Sequence, residues 1–149
     1  MFPALVTSTL EICNPAARAD FTARLRSASL KLRGPRDLAF NAVHTPYQAP
    51  PKYLDQYKNI QDPSRQAYAA SATAMDEQIG RVVAALDQKG MLDNTLIIFQ
   101  SDNGGTRDPL FAGAITDMSK VVLPPDNGPY RGGKGTLYEG GTRVVALAS

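Results

Sequence analysis

Apolar positions along this chain fall into stretches of different period. Leu96, Ile97, Ile98 and Phe99 form an unbroken run that ends in the polar tip Ser101-Asp102-Asn103-Gly104-Gly105. The run is too short to span a bilayer. It predicts a strand buried on both faces, as in a parallel sheet with helices above and below. Upstream, Met75, Ile79, Val82, Val83 and Leu86 recur at helical spacing and would share one face of a helix. Asp62 suits the N-cap of that helix, Pro63 its first position and Gly90 its C-terminal stop. A helix feeding a parallel-type strand is half of a right-handed crossover unit. Leu38-Ala39-Phe40 reads as a short strand opening into a loop, because Pro46 pushes Thr45 out of the helical region. Tyr47–Pro51 reads as extended, and Lys52–Tyr57 as one helical turn. Gly140-Gly141 turns the chain into Val144–Ala148, a second buried strand. A parallel sheet would normally continue past that point, so the expectation is a truncated α/β fold.

Two stretches lack a clear period. Within residues 1–37, Phe21, Leu25, Ser29 and Leu30 suggest either a thin amphipathic helix or a basic arm. Residues 107–128 read as a long irregular loop, a kind of segment that is usually functional or disordered.

Composition narrows the classes. At 149 residues, 43% hydrophobic and 20% charged, the chain matches an ordinary globular domain able to bury a core. A net charge of +2 makes no case for nucleic acid or an anionic membrane. Residues 1–37 are locally basic, with six Lys/Arg against three acids. A single cysteine, Cys13, excludes an internal disulfide and a Cys-rich metal site. Met1–Leu10 lacks the basic start and long apolar run of a signal peptide. No segment reads as a membrane span, and the sequence leaves compartment and oligomeric state open.

Candidate chemistry concentrates at three places. Asp102 and Asn103 offer hard oxygen ligands of the kind Ca²⁺ or Mg²⁺ prefers, at a strand tip where α/β sheets bind ligands. The same residues also suit a plain tight turn. His44, the only histidine, is either a general acid or donor to an anionic substrate, or a partly exposed loop side chain. Lys134 sits among glycines, where it can neutralise a phosphate or sulfate, or form part of a solvated mobile loop. Gly128-Pro-Tyr-Arg-Gly-Gly-Lys134 approaches a P-loop, but Gly135 replaces the required Ser/Thr and the strand and helix context is missing. Nothing around Cys13 indicates an activated thiol.

Four segments in order resemble the sulfatase family, in particular arylsulfatases of the N-acetylgalactosamine-4-sulfatase type. They are Ala39-Phe-Asn-Ala-Val-His-Thr-Pro-Tyr-Gln-Ala-Pro50, the helix from Tyr68-Ala-Ala through Met75-Asp-Glu-Gln-Ile-Gly80, the strand with Ser101-Asp-Asn-Gly-Gly105, and Tyr130-Arg-Gly-Gly-Lys-Gly-Thr-Leu-Tyr-Glu-Gly-Gly-Thr-Arg143. The resemblance covers about residues 38–149, a partial catalytic domain, and leaves residues 1–37 unassigned. It implies an alkaline-phosphatase-like mixed sheet flanked by helices, and calcium-assisted hydrolysis of sulfate esters, either aryl sulfates or sulfated sugars. Asp102 and Asn103 would be two Ca²⁺ ligands, with Mg²⁺ the lesser candidate. His44 and Lys134 would hold the sulfate oxygens as catalytic and substrate-binding groups.

The departures are specific. The family's formylglycine nucleophile arises from the cysteine of a Cys-x-Pro-x-Arg core. Here Arg18 falls one position late and Cys13 lies too close to His44, so Cys13 is a decoy and no nucleophile is encoded. The paired N-terminal aspartates of the Ca²⁺ site are absent too. The expectation is therefore a sulfatase fragment without useful turnover by itself. The alternatives are a non-catalytic metal- or anion-binding module or partner subunit, and a phosphatase or phosphonate hydrolase of the same superfamily.

Overall fold

The structure is a computed structural model that describes residues 8–13, 36–107 and 123–149. Its described strands are β1 (Ser8–Cys13), β2 (Arg36–Phe40), β3 (Leu96–Ser101) and β4 (Ala146–Ala148). The helices are α1 (Pro51–Leu54), α2 (Pro63–Gln88) and α3 (Glu139–Thr142). The four strands form one sheet in the order β2-β1-β3-β4. Strands and helices together agree with the α/β expectation.

The pairing differs from the expected parallel sheet. Every neighbouring pair among the described strands is antiparallel. β1 lies between β2 and β3, with Leu10 opposite Leu38 on one side and Phe99 on the other. β2 and β3 thus run in the same direction, and α2 crosses between them without making them neighbours. β1 and the start of β2 also lie inside residues 1–37, where the sequence suggested a helix or an arm. The suggested helix around Phe21–Leu30 falls outside the described residues, as does most of the irregular loop, residues 108–122.

Helix α2 forms where its caps predict. The Asp62 carboxylate accepts the Arg65 amide at 2.7 Å, and Pro63 starts the helix. At the far end, Gly90 takes a positive φ of 62°. Its amide donates to the Asp87 carbonyl at 2.8 Å, and the Met91 amide to the Leu86 carbonyl at 3.0 Å. That pair of bonds is a Schellman closure, which satisfies carbonyls the helix would otherwise leave bare.

The core gathers around Leu86, which is fully buried. Ile79 and Val82 of α2 pack with it, as do Leu38, Phe40, Ile97 and Phe99 from the sheet and Met91 and Leu92 from the connection. Alternate residues Leu38 and Phe40 of β2, and Ile97 and Phe99 of β3, pack toward α2. Leu96 is 48% exposed, and the three residues of edge strand β4 are exposed, Leu147 at 63%. The expected buried strand β4 is therefore corrected to an exposed one, and β3 to a strand that is half-buried rather than buried. An unbroken apolar run hid the period of two.

Helix α1 and the 3-10 turn Asp55–Tyr57 dock on the first half of α2. The Gln66 side chain donates to the Leu54 carbonyl at 3.2 Å, and the Tyr57 and Thr73 hydroxyls pair at 2.6 Å. Lys52 reaches Glu77 at 2.9 Å and lies over the Tyr53 ring. These contacts fix the extended segment that follows His44. No helix among the described residues is long and apolar enough to cross a membrane.

Candidate anion site

The functional candidates meet at the C-terminal tip of β3. Here Ser101–Gly105 leaves the sheet, and the loop from Tyr130 to Gly135 folds against it. The approach is close enough to require glycine on both sides. A Cβ on Gly104 would strike the Gly140 carbonyl, and one on Gly133 would strike the Gly105 carbonyl. Gly133, Gly140 and Gly141 are buried at this contact. The Gly104 amide donates to the Gly141 carbonyl at 2.9 Å, and the Lys134 amide to the Gly105 carbonyl at 3.2 Å. Gly132, at φ 76°, starts the tight turn before Lys134. Rings and cations brace the same loop from outside: Arg131 lies 3.9 Å from the Tyr138 ring centre, and Arg143 4.9 Å from that of Tyr130.

This packing brings Lys134 to His44 across 90 positions of sequence, with Nζ 2.9 Å from Nε2. The His44 Nδ1 lies 2.7 Å from the Thr45 carbonyl, which can only accept. Nδ1 therefore carries the hydrogen, and Nε2 accepts from the Lys134 ammonium. The pair borders a small cavity of about 100 Å³. Other walls are Tyr47, Tyr68, Ser101, Asn103 and Gly104–Thr106. Among the described residues lining it, Lys134 is the one cation and there is no carboxylate. A larger hollow of about 540 Å³ lies beyond the same His44–Thr45 segment, with Asn41, Gln48 and Ser71 on its walls.

Tyr47 and Tyr68 meet edge to face, ring centres 5.5 Å apart. Burial pushes both phenols above their ordinary value of 10.0, and the Tyr68 charge adds to the shift at Tyr47. Ionised phenolates are disfavoured at this wall, which keeps it neutral at ordinary pH.

The two candidate metal ligands divide. Asn103 lines the cavity, and its side-chain amide donates to the Gly104 carbonyl at 3.0 Å. Asp102 is exposed and is not among the lining residues. Among the described residues no group of three or more His, Cys, Asp or Glu side chains could hold a metal. Ca²⁺ takes six to eight oxygen ligands. Two adjacent oxygen donors at the strand tip thus fit part of such a site and do not complete one.

Asn127 is a site residue that the sequence reading missed. Its Oδ1 accepts the Gly105 amide at 2.8 Å, and its Nδ2 donates to the carbonyls of Gly105 at 2.9 Å and Gly132 at 3.0 Å. Its partners are all backbone atoms, and no side-chain pattern announces such a role.

Comparison with known proteins identifies the family. The family model described as Sulfatase matches residues 38–149. Mouse arylsulfatase J is 41% identical over 110 residues, covering 74% of this chain and 16% of that protein. Human N-acetylgalactosamine-6-sulfatase is 31% identical over 110 residues, covering 74% of this chain and 18% of its own length. The crystal structure of Ps i-CgsB in complex with k-i-k-neocarrahexaose superposes with a TM-score of 0.61 at 39% identity, over 74% of this chain and 22% of that one. The chain thus spans less than a fifth of these two curated relatives. A matched segment that begins in β2 and takes in α2, the β3 tip and the Lys134 loop places this chain in the sulfatase family.

Proposed function

We propose that this chain carries the sulfate-binding half of a sulfuric ester hydrolase site, in which Lys134, held by His44, donates to the sulfate oxygens. The observation that carries the reading is the 2.9 Å approach of Lys134 Nζ to His44 Nε2 at a cavity with no carboxylate among the described residues that line it. An ammonium has three donors. One satisfies His44, and two remain for oxygens of an entering anion. A partly buried cation facing a neutral wall is worth more to an anion than the same charge in water. The His44 ring also borders the larger hollow, which leaves room for the alcohol part of an ester beside Nε2. Aryl sulfates and sulfated sugars both suit this arrangement. The neighbour solved with a neocarrahexaose favours a sugar.

In this reading Asp102 and Asn103 are two of the oxygen ligands of Ca²⁺, with Mg²⁺ the lesser candidate. The ion would supply further positive charge beside the sulfate oxygens. The chain's own residues do three things: Lys134 offsets charge, His44 holds the Lys134 ammonium beside the ester, and the Gly104–Gly105 backbone lets the anion come close. The 149 residues contain no Cys-x-Pro-x-Arg core for a formylglycine nucleophile. Loss of a nucleophile commonly removes orders of magnitude in rate, so these residues alone give no useful turnover of an aryl sulfate. Calcium-dependent turnover by the pure chain would contradict that statement.

Calorimetric titration with inorganic sulfate tests the site itself. Saturable one-to-one binding by the parent, lost in Lys134→Ala, supports the reading. Binding unchanged in that variant, or no binding by a folded parent, overturns it.

A further inference from the structure

Lys134 reaches His44, on the segment after β2, from a glycine-rich loop that packs against the β3 tip. The β3 tip brings Gly104 and Gly105. The glycine-rich loop brings Gly132, Gly133 and Lys134. Between them stands one amide side chain. Asn127 pairs with Gly105 through both its oxygen and its nitrogen, as one peptide pairs with another, and uses its second N–H on Gly132. Both donors of the side chain are thereby spent on the two loops. The Gly105 carbonyl that accepts from Asn127 also accepts from the Lys134 amide. Asn127 is half-buried and is not among the residues lining the cavity.

We infer that Asn127 is a positioning residue: it clamps the strand tip to the glycine loop and so sets the place of Lys134 against His44. The inference rests on the proposed anion role of that pair for its functional meaning, but the clamp itself is structural. Glycines give the two loops their close approach and also their freedom to separate. Three hydrogen bonds from one half-buried side chain remove that freedom. Alanine at 127 leaves the Gly105 amide and two carbonyls without this partner. Aspartate keeps the acceptor for the Gly105 amide and removes both donors.

His44 is the sole histidine, so its imidazole nitrogens give an unambiguous nuclear magnetic resonance signature in ¹⁵N-labelled chain. The Nε2 resonance in the parent reports the Lys134 contact, and Lys134→Ala defines its position when the contact is gone. Asn127→Ala and Asn127→Asp are expected to move the resonance toward the Lys134→Ala position while the cooperative melt of the Leu86 core persists. Sulfate affinity should fall about 10- to 100-fold in both, the usual scale for a misplaced contact group. A folded Asn127→Ala protein whose Nε2 resonance stays at the parent position overturns the inference.

A measurement on the parent decides the case if neither variant folds. The Asn127 side-chain amide protons should exchange at least about tenfold more slowly than those of an exposed asparagine. Exchange at the free-amide rate overturns the clamp. A parent that shows the Asn127-dependent His44 signature yet binds no sulfate would overturn the proposed function and leave the clamp standing.

Discussion

Single residues at this site do work that their types alone do not reveal. Gly104 is the sharpest case, because a methyl group there would be driven into the Gly140 carbonyl. Backbone on both sides cannot yield as a flexible side chain would. Gly104→Ala should therefore lower stability by about 1–3 kcal/mol, in the range for overpacking, and weaken sulfate binding as well. Thermal melts and sulfate titration of that variant check both parts, and a variant with parent-like values would contradict the packing described. Leu86→Ala probes the opposite fault, a cavity in the core. With Leu86 fully buried among partly buried apolar partners that number eight among the described residues, the expected loss is about 2–5 kcal/mol by denaturant unfolding. His44 and Lys134 are informative in a different way. Each alone reads equally well as a loop residue, and only their 2.9 Å approach makes them a pair. The sequence brought them together through family resemblance, since the contact spans 90 positions. Asn127 stayed hidden because it recognises backbone, which leaves no trace in the side-chain pattern.

Elements that depend on local chemistry were legible in advance, and those that depend on distant pairing were not. The α2 start at Asp62-Pro63 and its stop at Gly90 follow from caps that act within a turn. Strand β2 and the single turn of α1 were likewise visible. The antiparallel order of the sheet was not, because β1 inserts between two strands that the crossover rule would have paired. Nor was the exposure of Leu96 in β3, which is as apolar as the half-buried residues that follow it. The cap makes a simple prediction: Asp62→Ala removes the 2.7 Å bond to the Arg65 amide and should cost about 1 kcal/mol of stability. The Tyr47–Tyr68 pair makes one about pH. Both phenols titrate above 10.0 in the folded chain. Above that value the unfolded chain releases those protons first, so the pair's contribution is complete below pH 10.0 and declines as pH rises beyond it. Urea unfolding across the alkaline range should show stability falling less steeply in Tyr47→Phe than in the parent.

At the scale of the whole molecule, the described residues set helix α2 against the sheet and gather the site loops at the β3 tip. The proposed metal contribution can be weighed by mass action. If Asp102 and Asn103 hold Ca²⁺ in the folded chain, millimolar Ca²⁺ should raise the melting midpoint of the parent and leave that of Asp102→Ala unchanged. An identical response in both would remove Asp102 from the ligand set. The account stands or falls, however, on the anion cavity. The most direct measurement is a titration of ¹⁵N-labelled chain with inorganic sulfate, following the His44 imidazole and the backbone amides by nuclear magnetic resonance. The predicted result is a saturable shift confined to His44, Lys134 and the Gly104–Gly105 tip, absent in Lys134→Ala. Shifts scattered over the surface lysines and arginines, with His44 unmoved, would contradict a sulfate site at this place.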